Sequence, residues 1–405
     1  MVFDLFKLHS KEDTPMGWIW VNFNPSSLKK EYIKILRNKS QNNIGKIISK
    51  KLNAGLSTTV KHLIKLKKAK ENIWFPLPII KELIKIINPK LKKRINNSIE
   101  FLMCKHDIYQ NKVKTVKGLN INLVKFIGAH IADGYLQKNG SSYKIKISEG
   151  KEDSIKKLEE WIKTTFQIKP KFKFIKKQNC WLCQIRNKVI GRYLEKFFKI
   201  KPGKKFDIAK EPEIIKNSSK EIRKAFVLGV MTFDGGVKTN GIISVSSMSK
   251  ILIDDIYEVL NSDNIKVNKL YNPKKKSWLI ESKSGRNKKY LKKWLDYFEP
   301  GTWKYKRLKF FINNKKDYSI NELNYLFPNH HLSKINLNDV YNSIKTIKSG
   351  KIKDILRELN KKFSISNTTI YKYLHILEKS NLISKVPEKV NDGKNYWSET
   401  IYNIK

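Results

Sequence analysis

Two aspartates, Asp133 and Asp234, sit where a carboxylate is costly. Each closes an almost wholly apolar run, FIGAHIADGYL at 126–136 and FVLGVMTFDGGV at 226–237, and each is followed by glycine. A run that uniformly apolar reads as a buried helix, not a surface one. Asp-Gly falls where such a helix should stop, since glycine favours the position just past a helix end. A carboxylate on a buried helix tip is destabilising unless something pairs with it. Two such tips about a hundred residues apart predict two halves of one site.

The elements that must position them are duplicated as well. Asn139-Gly140 lies six positions after Asp133, and Asn240-Gly241 six after Asp234; Asn-Gly between strand-like residues is a hairpin signal. In the first copy, Tyr143, Ile145 and Ile147 alternate with Lys144, Lys146 and Ser148, which predicts a strand with one apolar and one basic face. Ile243 and Val245 alternate with Ser244 and Ser246 in the second. Amphipathic helices follow at 153–166 and 251–260, then strand pairs at 171–175 with 181–186 and at 267–271 with 278–281. Closing helices at 188–198 and 288–298 lead to Pro202-Gly203 and Pro300-Gly301. The order αββαββα is thus predicted twice, over 121–208 and 221–310, in an α+β protein.

The rest of the chain flanks these repeats. Residues 1–115 read as a mainly helical domain, with a short strand at 18–23 and a helix at 28–37 capped by Ser27. Two helices around an Asn53-Ala54-Gly55 break, the second capped by Ser57 or Thr58, carry an apolar stripe of Val60, Leu63, Ile64 and Leu66 beside Lys61, Lys65, Lys67 and Lys68. That fits helix-turn-helix logic and an ordinary helical hairpin equally. A helix at 79–87 and a basic connector at 90–94 lead to the first repeat. Residues 335–405 predict helices at 337–347, 352–363 and 368–380, then a hairpin with its tip at Asn391-Asp392-Gly393. This is the winged-helix order, and its recognition helix is expected to expose Asn367, Thr369, Lys372 and Tyr373 to DNA.

Composition narrows the partner. The formal charge is +48, from 84 basic and 36 acidic residues. An AT-rich coding bias raises lysine, but it should raise glutamate too, so the surplus predicts a polyanionic partner, with nucleic acid foremost. No apolar run reaches membrane-spanning length, and residues 1–20 carry Asp4, Glu12 and Asp13, unlike a signal peptide, so a cytoplasmic or nucleoid-associated protein is expected. Cys180 and Cys183 have CxxC spacing without a second pair, so they read as small strand residues and not as a zinc site. His330-His331 is isolated, His130 reads as a core or interface histidine, and neither a phosphate-binding loop nor a serine-nucleophile elbow is present.

The two motifs resemble the signature of LAGLIDADG homing endonucleases in the single-chain, two-motif form, over roughly 121–310. Residues 126–134 and 227–235 match the nine-letter pattern, with Gly128 and Gly229 at its centre and Asp-Gly at its end. The resemblance implies that the motif helices pack side by side on a pseudo-twofold axis and that the sheets form a saddle on double-stranded DNA. It also implies a monomer in which Asp133 and Asp234, with the carbonyls of Ala132 and Phe233, hold magnesium or another divalent cation such as manganese. Basic residues near each metal are implied as catalytic, Lys204 or Lys205 in the first half and Lys304 or Lys306 in the second. DNA contacts are expected from Lys144, Lys146, Ser244, Ser246 and Lys274-Lys275-Lys276, with Lys372 and Tyr373 in the tail.

Phe233 is bulky where the family pattern is small, and His130 is unusual inside a motif helix. A degenerate, non-cutting protein is one reading of those departures; retention of both aspartates favours the nuclease. A DNA-binding transcription regulator and an intron RNA maturase are the alternatives on the same fold. An intein is not expected, because the ends lack the splicing nucleophile and the terminal His-Asn; a free-standing or intron-encoded protein is.

Overall fold

The computed structural model describes residues 2–10, 12–105, 112–203, 207–313, 317–328, 335–363, 367–391 and 396–405. It divides into two compact units, one of residues 1–234 with 247–259, the other of 235–246 with 260–405.

The first unit begins with a segment of five helices that also holds a small sheet, of which only the strand near 18–23 was expected. Four antiparallel strands, in the order Ile73–Pro76, Ile19–Phe23, Ile99–Cys104 and Val113–Lys114, form a sheet among five helices. Helix Leu77–Ile87 lies on two of those strands. The expected connector at 90–94 lies mostly inside helix Leu91–Ser98. Helix Ser26–Ile35 starts earlier than expected because Asn24, not Ser27, takes the Ser26 N–H, at 2.9 Å. The next two helices, Gln41–Leu52 and Leu56–Lys68, are joined through Asn53 in the left-handed region, φ 46°. Ser57 and Thr58 lie within the first turn of the second helix, and Gly55 is its cap. They cross closely, since a Cβ on Gly45 would stand 2.7 Å from Val60. Leu63 and Leu66 are buried there, while Ile64 is 39% exposed and so leaves the expected stripe.

This segment is fastened to the first repeat by buried charge. The Asp13 carboxylate accepts from Lys188 at 2.7 Å and Arg192 at 2.9 Å, all three nearly inaccessible to water. Lys188 also donates to the Gly17 carbonyl at 2.6 Å. Burial alone would raise the Asp13 carboxyl, but the Lys188 hydrogen bond, the Ser10 N–H and the two cations hold it below its ordinary value. Arg192 continues to Glu195 at 3.0 Å, which accepts from the Tyr143 hydroxyl at 2.5 Å. Such pairs are costly to break one partner at a time. The cluster fixes the closing helix Lys188–Lys196 against the strand that carries Lys144 and Lys146.

The first repeat follows the predicted order. Helix Ile121–Asp133 leads into strands Gly134–Asn139 and Ser142–Glu149, turned at Gly140 with φ 56°. Helix Glu152–Phe166, strands Lys171–Ile175 and Cys180–Arg186, and helix Lys188–Lys196 complete it. The second motif helix, Lys220–Phe233, and most of helix Lys250–Ser262 also belong to this unit.

The second unit holds a sheet of strands Gly236–Val237, Ile243–Ser247, Ser277–Ser282 and Val267–Asn272 in that spatial order. In both repeats the first two strands form a hairpin, and the last strand in sequence lies third in space. The closing helix is shorter than expected: Lys288–Lys292 tightens into a 3-10 turn, Lys293–Tyr297. Helices Trp303–Ile312 and Ile320–Leu326 follow, built on an aromatic cluster of Phe310, Phe311, Tyr318 and Phe327. The tail contains helices Leu337–Ile347, Ile352–Asn360 and Asn367–Lys379. Beside them is a sheet in the order Ser349–Lys351, Tyr396–Ile404, Ile383–Asn391. Its expected hairpin tip at Asp392-Gly393, like His330-His331, lies outside the described residues. No helix among the described residues is long and apolar enough to cross a membrane.

Candidate active site and nucleic-acid interface

The motif helices meet backbone to backbone. A Cβ on Gly128 would stand 2.3 Å from the Phe226 carbonyl oxygen, and one on Gly229 would stand 2.3 Å from the Lys125 carbonyl oxygen. The contact is reciprocal: each glycine faces the carbonyl three residues before the other glycine. Only a residue without a side chain allows this approach.

Asp133 is the last residue of the first motif helix, and Asp234 caps the second, its N–H donating to the Val230 carbonyl at 2.8 Å. The expected burial of these tips is corrected, since Asp133 is exposed and Asp234 half-buried. Each chain leaves its helix at the aspartate, so the carboxylate lies beyond the apolar packing. The placement is still unfavourable for a bare helix, because a C-terminus carries partial negative charge. A cation relieves both charges at once. The donors expected from the sequence are hard oxygens: two carboxylates and the carbonyls of Ala132 and Phe233. Among the described residues no group of three or more His, Cys, Asp or Glu is arranged to hold a metal. Such a donor set fits an ion that draws its other ligands from water and phosphate, as magnesium does, and not a protein-enclosed zinc site. The bulk of Phe233 is taken up by packing, its ring 6.4 Å from Trp161. Burial pushes the Cys183 thiol well above its ordinary value, consistent with a core strand residue.

The first sheet has a basic open face. Tyr143, Ile145 and Ile147 are buried, so Lys144 and Lys146 face the other way. Lys144 lies opposite Gln137 on one side and Arg186 on the other; Lys146 lies between Tyr135 and Gln184. Lys171 and Lys173 extend the face, opposite Gln184 and Leu182. Slight burial, together with repulsion from Lys146, Arg186 and Lys173, lowers the Lys144 ammonium from its ordinary value. Lys144, Lys146, Arg186 and Lys173 thus crowd one another on this face. Arg186, Lys171, Lys173 and the two glutamines go beyond the contacts expected from sequence, although the alternation in 181–186 carries the signal.

The second sheet differs. Ser244 and Ser246 face away from buried Ile243 and Val245, as predicted. Their open face includes Asn268, Leu270, Leu279 and Glu281, with Glu281 bonded to Lys238. Lys274, Lys275 and Lys276 form the exposed turn between strands Val267–Asn272 and Ser277–Ser282, Lys276 at φ 48°.

The remaining candidates are scattered. Lys204 and Lys205 lie outside the described residues. Lys304 is buried, and Lys306 is exposed, with its Nζ 5.5 Å from the Tyr325 ring. Lys372 is exposed as expected. Tyr373 is not: it is 8% exposed, and its hydroxyl donates to the Ile335 carbonyl at 3.3 Å. The reason is helical register, since Tyr373 shares the buried stripe of Ile370, Leu374 and Leu377. Tyr371, 53% exposed, occupies the outer face instead.

No protein-family model matches this chain, and no curated protein does. Solved structures do. One set holds mesophilic variants of the homing endonuclease I-DmoI, at 16% identity over 44% of this chain and 94% of that one, with a TM-score of 0.35. The homing endonuclease I-WcaI bound to its DNA recognition sequence matches at 13% identity over 48% of this chain and 88% of that one, TM-score 0.33. Full-length DUF199/WhiA from Thermatoga maritima matches at 12% identity over 66% of this chain and 93% of that one, TM-score 0.32.

Proposed function

We propose that this protein is a site-specific DNA endonuclease that hydrolyses phosphodiester bonds on both strands, using divalent metal held by Asp133 and Asp234. The observation that carries the reading is the reciprocal glycine crossing of two helices that each end in aspartate. Two unlike stretches of one chain meet at backbone distance, and both deliver a carboxylate against their own helix dipole.

Each aspartate, with the carbonyl before it, would supply hard oxygen donors. A bound magnesium or manganese ion would lower the pKa of its water and stabilise the leaving oxygen. The open face of the first sheet would hold the duplex, with Lys144, Lys146, Lys171, Lys173 and Arg186 toward phosphates and Gln137 and Gln184 toward base edges. Ser244, Ser246 and the turn lysines 274–276 would contact it from the second sheet. Lys306 is the better placed of the second-half catalytic candidates, because Lys304 is buried. The tail would act as a winged helix, presenting Tyr371 and Lys372, and the helical pair at 41–68 as an accessory basic surface. A non-cleaving regulator would use the same surfaces without the aspartates.

Asp133→Asn and Asp234→Asn separate the two readings. On duplex DNA spanning the junction where the gene inserts, with magnesium, each substitution should slow double-strand cutting by about 100-fold or more, while the dissociation constant changes by less than about threefold. Cutting by both variants at the wild-type rate would remove the nuclease reading. Wild-type binding without cutting in magnesium or manganese would leave the regulator.

A further inference from the structure

We propose that Arg307 is a phosphate-binding residue, its guanidinium held ready in an aromatic cage for an anion that the protein does not itself supply. For the macromolecule concerned, this rests on the DNA-binding reading above; the phosphate chemistry stands apart from it.

Arg307 lies in the second turn of helix Trp303–Ile312 and keeps 9% of its surface open. Its guanidinium carbon is 4.5 Å from the Phe327 ring centroid and 5.8 Å from that of Trp303. Nε is enclosed and has no hydrogen-bond partner. Among the described residues no carboxylate pairs with the group, and burial alone lowers its pKa to about 9. The chain treats buried Arg192 and half-buried Arg223 differently. Arg192 bridges Asp13 and Glu195, and Arg223 bridges Glu211 and Glu258. Evolution of a structural arginine would have met the same need with a carboxylate or an apolar replacement.

Aromatic faces offset part of the desolvation and fix the plane of the fork. That plane suits the two oxygens of a phosphate, which a flexible ammonium matches less well. Lys306 and Lys309, exposed on the same helix, add positive potential outside the cage. An anion of phosphate class is therefore the ligand that this arrangement fits. A free phosphate and a DNA backbone phosphate share that chemistry.

The test compares wild type, Arg307→Met and Arg307→Lys as full-length proteins. Removing an unpaired, desolvated charge should leave the melting temperature of Arg307→Met equal to or above that of wild type. Its affinity for duplex DNA should nevertheless fall about tenfold, and the slope of log K against log salt should become shallower by about 1. Arg307→Lys should keep the slope and lose less affinity. Inorganic phosphate should raise the wild-type melting temperature by more than that of Arg307→Met. A lowered melting temperature in Arg307→Met with an unchanged DNA slope would make this a packing residue and overturn the proposal. So would an equal phosphate response in both proteins. If wild type binds no duplex DNA but keeps the differential phosphate response, the site stands and the DNA reading falls.

Discussion

The two motif helices are alike where they touch, and the two sheets that follow them are unlike where they are open. At the crossing, a Cβ added to Gly128 or to Gly229 would meet the other helix's carbonyl oxygen at the same 2.3 Å. On the open faces, Lys144 and Lys146 occupy the alternating positions that Ser244 and Ser246 fill in the other repeat. Arg186 and Lys171 add to the first face, whereas the second carries Asn268, Leu270 and a glutamate. The contrast separates two kinds of constraint. Backbone contact admits one residue type on both sides, so duplication stays visible there. A partner-facing surface answers to what it binds, and two halves of a target need not be equal. The first face suits phosphates read through charge; the second suits contacts through hydroxyls, amides and shape.

The helix half of the comparison breaks most severely. Gly128→Ala and Gly229→Ala should each destabilise the fold by about 3 kcal/mol, because the atom in the way is backbone and cannot rotate aside. Matched losses by urea melts would confirm that the contact is reciprocal. A near-neutral alanine at either position would mean that the crossing is looser than described. The sheets should then part company. Replacing Lys144, Lys146 and Arg186 together by alanine should weaken duplex binding roughly 100-fold and flatten the salt slope by about 3. Ser244→Ala with Ser246→Ala should leave the slope unchanged and cost less than about tenfold, confined to particular base positions. Equal salt slopes for the two variants would end the distinction between the faces.

Much of this was legible in the sequence, for physical reasons that also explain the gaps. The strand over 143–148 declares itself because every second residue is apolar and the others are polar or charged, a local pattern that needs no knowledge of the partner strand. Arg186 opposite Lys144 depends on register between strands far apart in sequence, and no local pattern fixes that. The strands Ile73–Pro76 and Ile99–Cys104 were hidden likewise: one is four residues long and ends at a proline, and each pairs with Ile19–Phe23, fifty or more residues away in sequence. Tyr373 was readable, since Ile370 and Leu377 set a stripe through it, but an amphipathic ring serves either face equally well. The ends of the motif helices were placed correctly, whereas the exposure of Asp133 depends on what lies beyond the helix end. Arg307 gave no sign, because a missing partner is a property of three-dimensional neighbours.

The finest test of the unequal faces is Glu281. It lies on the open side of its strand, opposite Asn268, and its carboxylate binds Lys238, which follows the edge strand Gly236–Val237. The pair is partly solvated, so its own contribution to stability is small, about 1 kcal/mol or less. Its larger effect is on the field, because the only acidic group among the residues named on either face both repels phosphate and occupies a cation. Glu281→Gln removes the charge, keeps the shape and releases Lys238. Duplex affinity should then rise by about two- to fivefold, with a salt slope steeper by up to about 1, as one more ammonium becomes free to displace a counterion. Affinity unchanged at every salt concentration would place the second sheet's open face away from the nucleic acid. A loss confined to one base position would instead make Glu281 an acceptor for a cytosine amino group, and the second face would then read sequence where the first supplies grip.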